Sequence, residues 1–485
     1  MLPTVQDKFY INGQWVKPKG ADIIEIISPV TEEVCGKVPA GTTADIDDAV
    51  AAARAAFDQG PWPRMTVEER GAILLKVADY MQEHGEMTVK LISLEMGGPI
   101  KRMAPAAPMP ALMIRKYVEL SREFPFVETR QGLLGPALVL REPVGVVASI
   151  TPWNGPLHLL LMKFAPALVA GCTMVSKPSP EAPLDAYVLA AACEAAGMPP
   201  GVFNLVPGGR EVGEHLVRHR GVDKVAFTGS TAAGRRIGEI CGHDLRRVSL
   251  ELGGKSAAVA LSDADPAKLA PRVVHQGLAF NSGQACAALT RVVVPRARQQ
   301  EFVDAIQAEM AKLVTGDPSD PVTDVGPMVA ERQRARVESY IEAGRSQGAR
   351  LIQGGGRPAG LNRGWFVEPT LFADVDNHMK IAAEEIFGPV GVVIPYDGDD
   401  ETAIAIANDS DYGLGGAVFS EDPVRGIAAA RRIRTGTIGY NTFYIDPMLP
   451  FGGFKASGIG RENSREGLTL FTEVKTLEGV TEEML

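Results

Sequence analysis

Apolar positions change rhythm twice along the chain. After a short β entry at 9–13, residues 49–57 and 68–81 repeat their apolar positions at helical spacing. From 144 the rhythm becomes strand, turn, helix. Apolar runs at 144–150, 173–176, 202–206 and 224–227 predict strands, and 183–196 and 212–219 predict helices between them. Near-continuous apolar strands separated by helices predict a parallel, doubly wound sheet, buried on both faces. Such sheets bind ligands beyond the carboxyl ends of their strands. A second α/β stretch begins near Ser256, with helices at 298–312 and 330–346 and strands near 390–395 and 415–419. Between the helical start and the first sheet, 123–141 is polar and extended, broken by Gly132, Gly135 and Pro136, and predicts a projecting hairpin arm. The Gly-rich stretch 450–455 predicts a loop, and the alternating tail 468–474 predicts an edge strand.

Length and composition narrow the function classes. A chain of 485 residues, 45% hydrophobic, has room for two or three domains with substantial cores. A formal net charge of −10 argues against a nucleic-acid binder, which needs a basic face. Cys35, Cys172, Cys193, Cys241 and Cys286 are widely spread and lack CxxC spacing. Neither a disulfide framework nor a zinc site is expected, and a reducing compartment is. The histidines show no paired-ligand spacing, so no metal is expected. No secretory signal is expected at the N-terminus. The apolar stretch 157–175 is interrupted by His158, Lys163 and Pro166, which predicts a buried helix followed by a strand rather than a membrane span. The expectation is a cytoplasmic protein that uses neither membrane nor nucleic acid.

Several residues could carry chemistry. Cys286 lies between two alanines just after the Gly283 turn, where a thiol can be left open to attack a carbonyl. Taken alone, such a cysteine is more often inert packing. Glu251 ends the 248–252 strand on the face opposite Val248, Leu250 and Leu252, as a general base or a solvated strand-end carboxylate. Thr228-Gly229-Ser230-Thr231 follows a strand and opens a helix, either a plain capped turn or a phosphate site. The GxGxxG fingerprint is not met, because Thr231 stands at its middle glycine. Asn154, before Gly155-Pro156, is a turn residue or an amide donor to an oxyanion. Lys177 is a solvated turn lysine or a ligand for hydroxyls and phosphate.

Together the segments resemble the NAD(P)-dependent aldehyde dehydrogenase superfamily, over nearly the whole chain and in the family's order. They are Pro152-Trp153-Asn154, Ser176-Lys177-Pro178, Phe227-Thr228-Gly229-Ser230-Thr231, Glu251-Leu252-Gly253-Gly254-Lys255, Asn281-x-Gly283-Gln284-x-Cys286, Glu384-Glu385-Ile386-Phe387-Gly388-Pro389, and Pro450-Phe451-Gly452-Gly453 running on to Gly460-Arg461-Glu462. The resemblance implies two doubly wound α/β domains and a small β oligomerisation arm. The cofactor-binding domain would take 1–122 and 143–253, the catalytic domain 254–445, and the arm 123–142 with 466–485.

The resemblance also implies roles. Cys286 attacks the aldehyde, Asn154 and the Cys286 N–H hold the oxyanion, and Glu251 activates water to release the acid from a thioester. Lys163 and Glu462 match positions of a proton relay. Cofactor contacts would come from Ile150, Thr151, Pro152 and Trp153; from Lys177, Pro180, Glu181, Gly229 and Ser230; and from Leu252, Gly253, Glu385 and Phe387. Gly155, Leu159, Met162, Ala285, Ala287 and Phe451 would line the substrate pocket. The implied cofactor is NAD, with NADP as the alternative, and the implied assembly is a homodimer or homotetramer.

Two departures from the family pattern matter. Pro180 stands where many NAD-preferring members carry the glutamate for the ribose 2′-hydroxyl, and Glu181 lies one place on. Gly155 stands where many members carry a bulky aromatic, so the pocket is expected to be wide. Two rivals remain at this point: a CoA-acylating enzyme, against which Glu251 argues, and a non-catalytic binding protein, against which the intact reactive set argues.

Overall fold

The protein is described as a computed structural model covering residues 3–484. Two mixed sheets carry most of the chain, with a third, smaller sheet beside them. The first has eight strands. Its parallel centre runs in the order Phe203–Leu205, Thr173–Lys177, Val146–Ile150, Lys224–Thr228, Arg247–Glu251. The chain thus winds outward from Val146–Ile150, returns, and continues on the other side with Lys224–Thr228. That reversal is a topological switch point, and the crevice beyond those two strand ends is where such sheets take ligands.

The expected strands and helices form, most with ends moved by a residue or two; the helix expected at 49–57 starts six residues earlier, at Thr43, because its Thr42 cap lies ahead of the apolar repeat. The helices fall at Thr43–Asp58, Val67–Glu83, Leu184–Ala195 and Arg210–Arg218. Thr42 and Thr66 start the first two through reciprocal capping boxes with Asp45 and Glu69. The apolar stretch after Asn154 becomes the helix Pro156–Ala170, then the strand Thr173–Lys177. This helix is apolar on nearly every side and sits within the core, which explains its uniform hydrophobicity. Among the described residues no helix is long and apolar enough to cross a membrane, and no cluster of His, Cys, Asp and Glu could hold a metal.

The second sheet has seven strands, with Ser256–Ala260, Leu289–Pro295, Val390–Tyr396 and Gly415–Phe419 parallel at its centre. The strand Leu289–Pro295 was not expected from the sequence. Arg291 breaks its apolar run, yet this guanidinium is buried and donates to Lys255 O, Asn377 Oδ1 and Ala407 O at 2.9–3.0 Å.

The hairpin arm forms from Val127–Gln131 and Pro136–Pro143, joined by Thr472–Glu478 in an antiparallel sheet. The tail strand therefore starts later than expected. Residues Ser464–Thr469 are helical, and alternation begins only where pairing with Pro136–Pro143 begins. The expected loop at 450–455 holds one short strand, Phe454–Lys455, paired with Tyr412–Gly413.

Candidate active site

The segment 281–286 is folded against rigid neighbours from distant parts of the chain. Asn281, Ser282 and Gly283 all take left-handed backbone conformations, with φ of 50°, 56° and 72°. Two non-glycine residues in that region need outside support. Gly326 N–H donates to Ser282 Oγ, and Val329 N–H to Gln284 Oε1, both at 2.9 Å. Gly283 must be glycine for a second reason: a Cβ there would lie 2.2 Å from Gly388 O. The next turn presents Ala285 and Cys286, both partly exposed, while Ala287 is buried.

Asn154 meets this segment from the first sheet. Its Nδ2 donates to Gln284 O at 3.1 Å, and Asn281 Nδ2 donates to Asn154 O at 2.8 Å. An amide nitrogen has two hydrogens, so Asn154 keeps one for another acceptor beside Cys286. The strand Arg247–Glu251 approaches from a third direction. Gly254 permits this, since a Cβ there would lie 2.2 Å from Cys286 O.

Electrostatics at the thiol are unfavourable to ionisation. Cys286 keeps partial exposure, but close surroundings dominate. Burial first, then the carboxylates of Glu385 and Glu251, push its thiol up to about 12. Glu251 is itself raised well above its ordinary value, first by burial, then by Glu462, with Lys163 and Arg461 opposing. Both Glu251 oxygens are buried without a hydrogen-bond partner among the described residues. A buried, unpaired carboxyl close to a thiol is a functional feature more readily than a stabilising one. Behind it, Lys163 Nζ makes a buried pair with Glu462 Oε1 at 2.7 Å and donates to Thr228 Oγ1 at 2.6 Å. Thr228 is the register partner of Glu251.

A groove of about 600 Å³ lies at the switch point. Ile150, Thr151, Pro152 and Trp153 line it where the first strand ends, and Gly229 and Ser230 where the neighbouring strand ends. Lys177, Pro180 and Glu181 line it further along. Leu252, Gly253, Glu385 and Phe387 are not part of that lining. Glu385 Oε1 accepts from Gly254 N–H at 3.0 Å, and a Cβ on Gly253 would meet the same carboxylate. Phe387 stands edge-on to Trp153 with ring centroids 5.4 Å apart, which joins this second group to the groove. Leu252 N–H donates to Ser457 O at 2.9 Å.

A dinucleotide fits this groove. Ser230 caps the helix Thr231–His243 through the Ala233 N–H alone, leaving other first-turn N–H groups for a phosphate. The Thr151 hydroxyl is buried without a partner among the described residues. Lys177 crosses the floor, donating to Pro178 O and Gly208 O at 2.9 Å, and burial pushes it down to about 8.

Gly155, next to Asn154, has φ −160°, outside the left-handed region that favours glycine. A Cβ there would find only Leu159, at 3.7 Å, so a side chain would project into open space. Leu159, Met162, Ala287 and Phe451 share one apolar cluster with Trp153 and Cys286 against it. Met162, Ala287, Phe451 and Leu159 are all buried within it, and Gly155 alone of these positions opens onto free space.

A model of the aldehyde dehydrogenase family matches residues 15–477. The chain belongs to the aldehyde dehydrogenase family. The family reaction, oxidation of an aldehyde to its acid, is the reaction of this enzyme. Similar proteins include a geranial dehydrogenase of Castellaniella defragrans, 47% identical over 96% of this chain and 98% of its own. The structure is similar to that of a Mycobacterium tuberculosis aldehyde dehydrogenase complexed with NAD+, at TM-score 0.95 and 47% identity over 99% of both chains. It is also similar to a Pseudomonas syringae aldehyde dehydrogenase mutant complexed with NAD+ and octanal, at TM-score 0.93 and 40% identity over 99% of this chain and 98% of that one.

In this aldehyde dehydrogenase some functional neighbours escaped sequence reasoning. Ser282 and Gln284 hold the cysteine loop through acceptors whose partners lie about 45 residues on. Arg332 reaches the groove from the helix Glu331–Ser346 and pairs with Glu181. No local spacing signals either contact.

Proposed function

We propose that this enzyme oxidises apolar, bulky aldehydes with NAD and water, through a thioester on Cys286. The convergence of Asn154 on Gln284 O, two residues before Cys286, carries the reading, because it sets an amide donor beside the nucleophile. Cys286 adds to the aldehyde carbon as the thiolate, the form that each turnover regenerates, and the former carbonyl oxygen becomes an oxyanion. The free Asn154 Nδ2 hydrogen and the Cys286 N–H are its donors. An aldehyde carbon releases hydride readily only once it is tetrahedral, so the covalent nucleophile solves the hard step. The dinucleotide, when bound, supplies the hydride acceptor and, in its oxidised form, a positive charge. Glu251 then takes a proton from water, hydroxide adds to the thioester, and the carboxylic acid leaves as the Cys286 thiolate returns. Glu462 and Lys163 carry the proton onward from Glu251.

Glu251 works only when deprotonated, and Glu462 raises it. A raised base loses activity as pH falls, so removing the neighbouring charge extends activity downward. Glu462→Gln is expected to shift the acid limb of the pH–rate profile to lower pH by roughly one unit. An unmoved limb, or one moved upward, contradicts the coupling.

Two similar proteins bear on the substrate, one named for geranial and one complexed with octanal. Both aldehydes are long and apolar, as the open space at Gly155 and the Leu159–Phe451 lining suit. Gly155→Phe is expected to lower kcat/KM for such aldehydes by about ten- to hundredfold while sparing acetaldehyde. Equal effects on both would refute the pocket assignment. A panel of aldehydes, assayed with and without CoA, tests the reading as a whole: CoA-independent NADH formation supports it, and an absolute CoA requirement refutes it.

The same reading divides the chain as expected from sequence, with 1–122 and 143–253 binding cofactor, 254–445 completing the site, and 123–142 with the tail forming the arm. The arm carries Leu133 and Leu134 fully exposed at its tip, next to an unpaired edge strand. Such a surface suits pairing within a homodimer or homotetramer. The five cysteines are all free, as suits a reducing cytoplasm.

A further inference from the structure

The adenosine end of the groove carries more positive charge than NAD requires. Two carboxylates line it among the described residues, Glu181, one place past Pro180, and Glu214. Glu214 is paired with Arg218 and Arg236 at 2.9 and 3.1 Å. Glu181 has both oxygens engaged: Ser179 Oγ donates to one, and Arg332 Nη2 pairs with the other. Arg332 comes from the helix Glu331–Ser346, 151 residues away in sequence, and spans the groove to make this contact. Lys177 lies on the floor, its Nζ donating to Gly208 O. Two residues on, Arg210 opens the helix Arg210–Arg218, exposed, lining the groove, and without an ion pair among the described residues. Four cations and two carboxylates thus line the groove; Arg236 is taken by Glu214 and Arg332 by Glu181, and among the described residues Lys177 and Arg210 make no ion pair.

A bare glutamate at a ribose selects NAD in two ways. It accepts from the 2′-hydroxyl, and it repels a 2′-phosphate. A glutamate held by a serine hydroxyl and a guanidinium repels far less. A guanidinium is also the side chain best shaped to bind phosphate oxygens in pairs. We infer that Arg332 sets cofactor selectivity in this enzyme: it neutralises Glu181 and, with Arg210, receives a 2′-phosphate, so that the groove accepts NADP as well as NAD. The inference rests on the groove being the dinucleotide site of the proposed function.

The test is direct binding, independent of turnover. The purified enzyme, Arg332→Gln and Glu181→Gln are each titrated calorimetrically with NAD+, NADP+ and adenosine 2′,5′-bisphosphate. Arg332 is 59% exposed, so its loss disturbs the fold little. The native enzyme is expected to bind NADP+ within about tenfold of NAD+. Arg332→Gln should weaken NADP+ and the bisphosphate by roughly ten- to hundredfold, far more than NAD+, as expected for a lost charge-assisted bond. Glu181→Gln should tighten NADP+ and weaken NAD+. Normal NAD+ binding without NADP+ binding overturns the inference and leaves the proposed function standing. So does equal weakening of both dinucleotides by Arg332→Gln. Failure of the native enzyme to bind either dinucleotide overturns the groove assignment and the inference with it.

Discussion

Cys286→Ala is expected to abolish aldehyde oxidation, by roughly 10⁴–10⁶-fold, while NAD binding persists. The size follows from the role. Without sulfur the aldehyde carbon stays trigonal and has no hydride to release, so no partial route through the same geometry remains. The substitution is otherwise mild. Cys286 is partly exposed, Ala285 and Ala287 flank it, and the loop is held by Ser282, Gln284 and Gly283, none of which touches the thiol in doing so. Steady-state rates and calorimetric NAD titration check the two halves separately. Loss of NAD binding together with activity would point to a collapsed loop instead of a missing nucleophile.

Glu251→Gln is expected to slow steady-state oxidation by roughly 10²–10⁴-fold, the usual value of a general base, with a retained burst of one NADH per active site. Acylation needs Cys286 and Asn154, which the amide leaves in place. Deacylation needs a proton taken from water, which the amide cannot accept. The glutamine is nearly isosteric, and among the described residues the Glu251 carboxyl has no hydrogen-bond partner for the change to orphan. Replacing a buried carboxyl raised by desolvation should also cost the fold little. Rapid-mixing absorbance at the NADH band reads burst and steady state in one trace. A mutant with no burst would move Glu251 from water activation to an earlier step.

The first sheet was legible because its middle strands have apolar centres and are buried along their whole length. Val146–Ile150, Lys224–Thr228 and the helix Pro156–Ala170 are of this kind. The second sheet was less legible where a buried polar group interrupts the run, as Arg291 does in Leu289–Pro295. Its partners come from segments 36 to 116 residues away, and no local pattern announces them. At the site, Cys286, Glu251 and Asn154 were singled out as residues of the right type next to turns. What brings them together was hidden. The left-handed run at Asn281 and Ser282 is held by Asn154 O and by N–H donors at 326 and 329, and the close approach at Gly254 is a property of two packed backbones. Arg332 was invisible for the same reason, since its meaning lies in Glu181 across the groove.

The central claim is that the substrate is carried as an acyl group on one sulfur. Glu251→Gln, mixed with octanal and NAD and quenched in acid within the burst, should show by intact and peptide mass spectrometry an adduct on Cys286 equal to the aldehyde less two hydrogens. That mass is a thioester. NADH released in the burst with no adduct on Cys286, or with the adduct on another residue, would contradict the account.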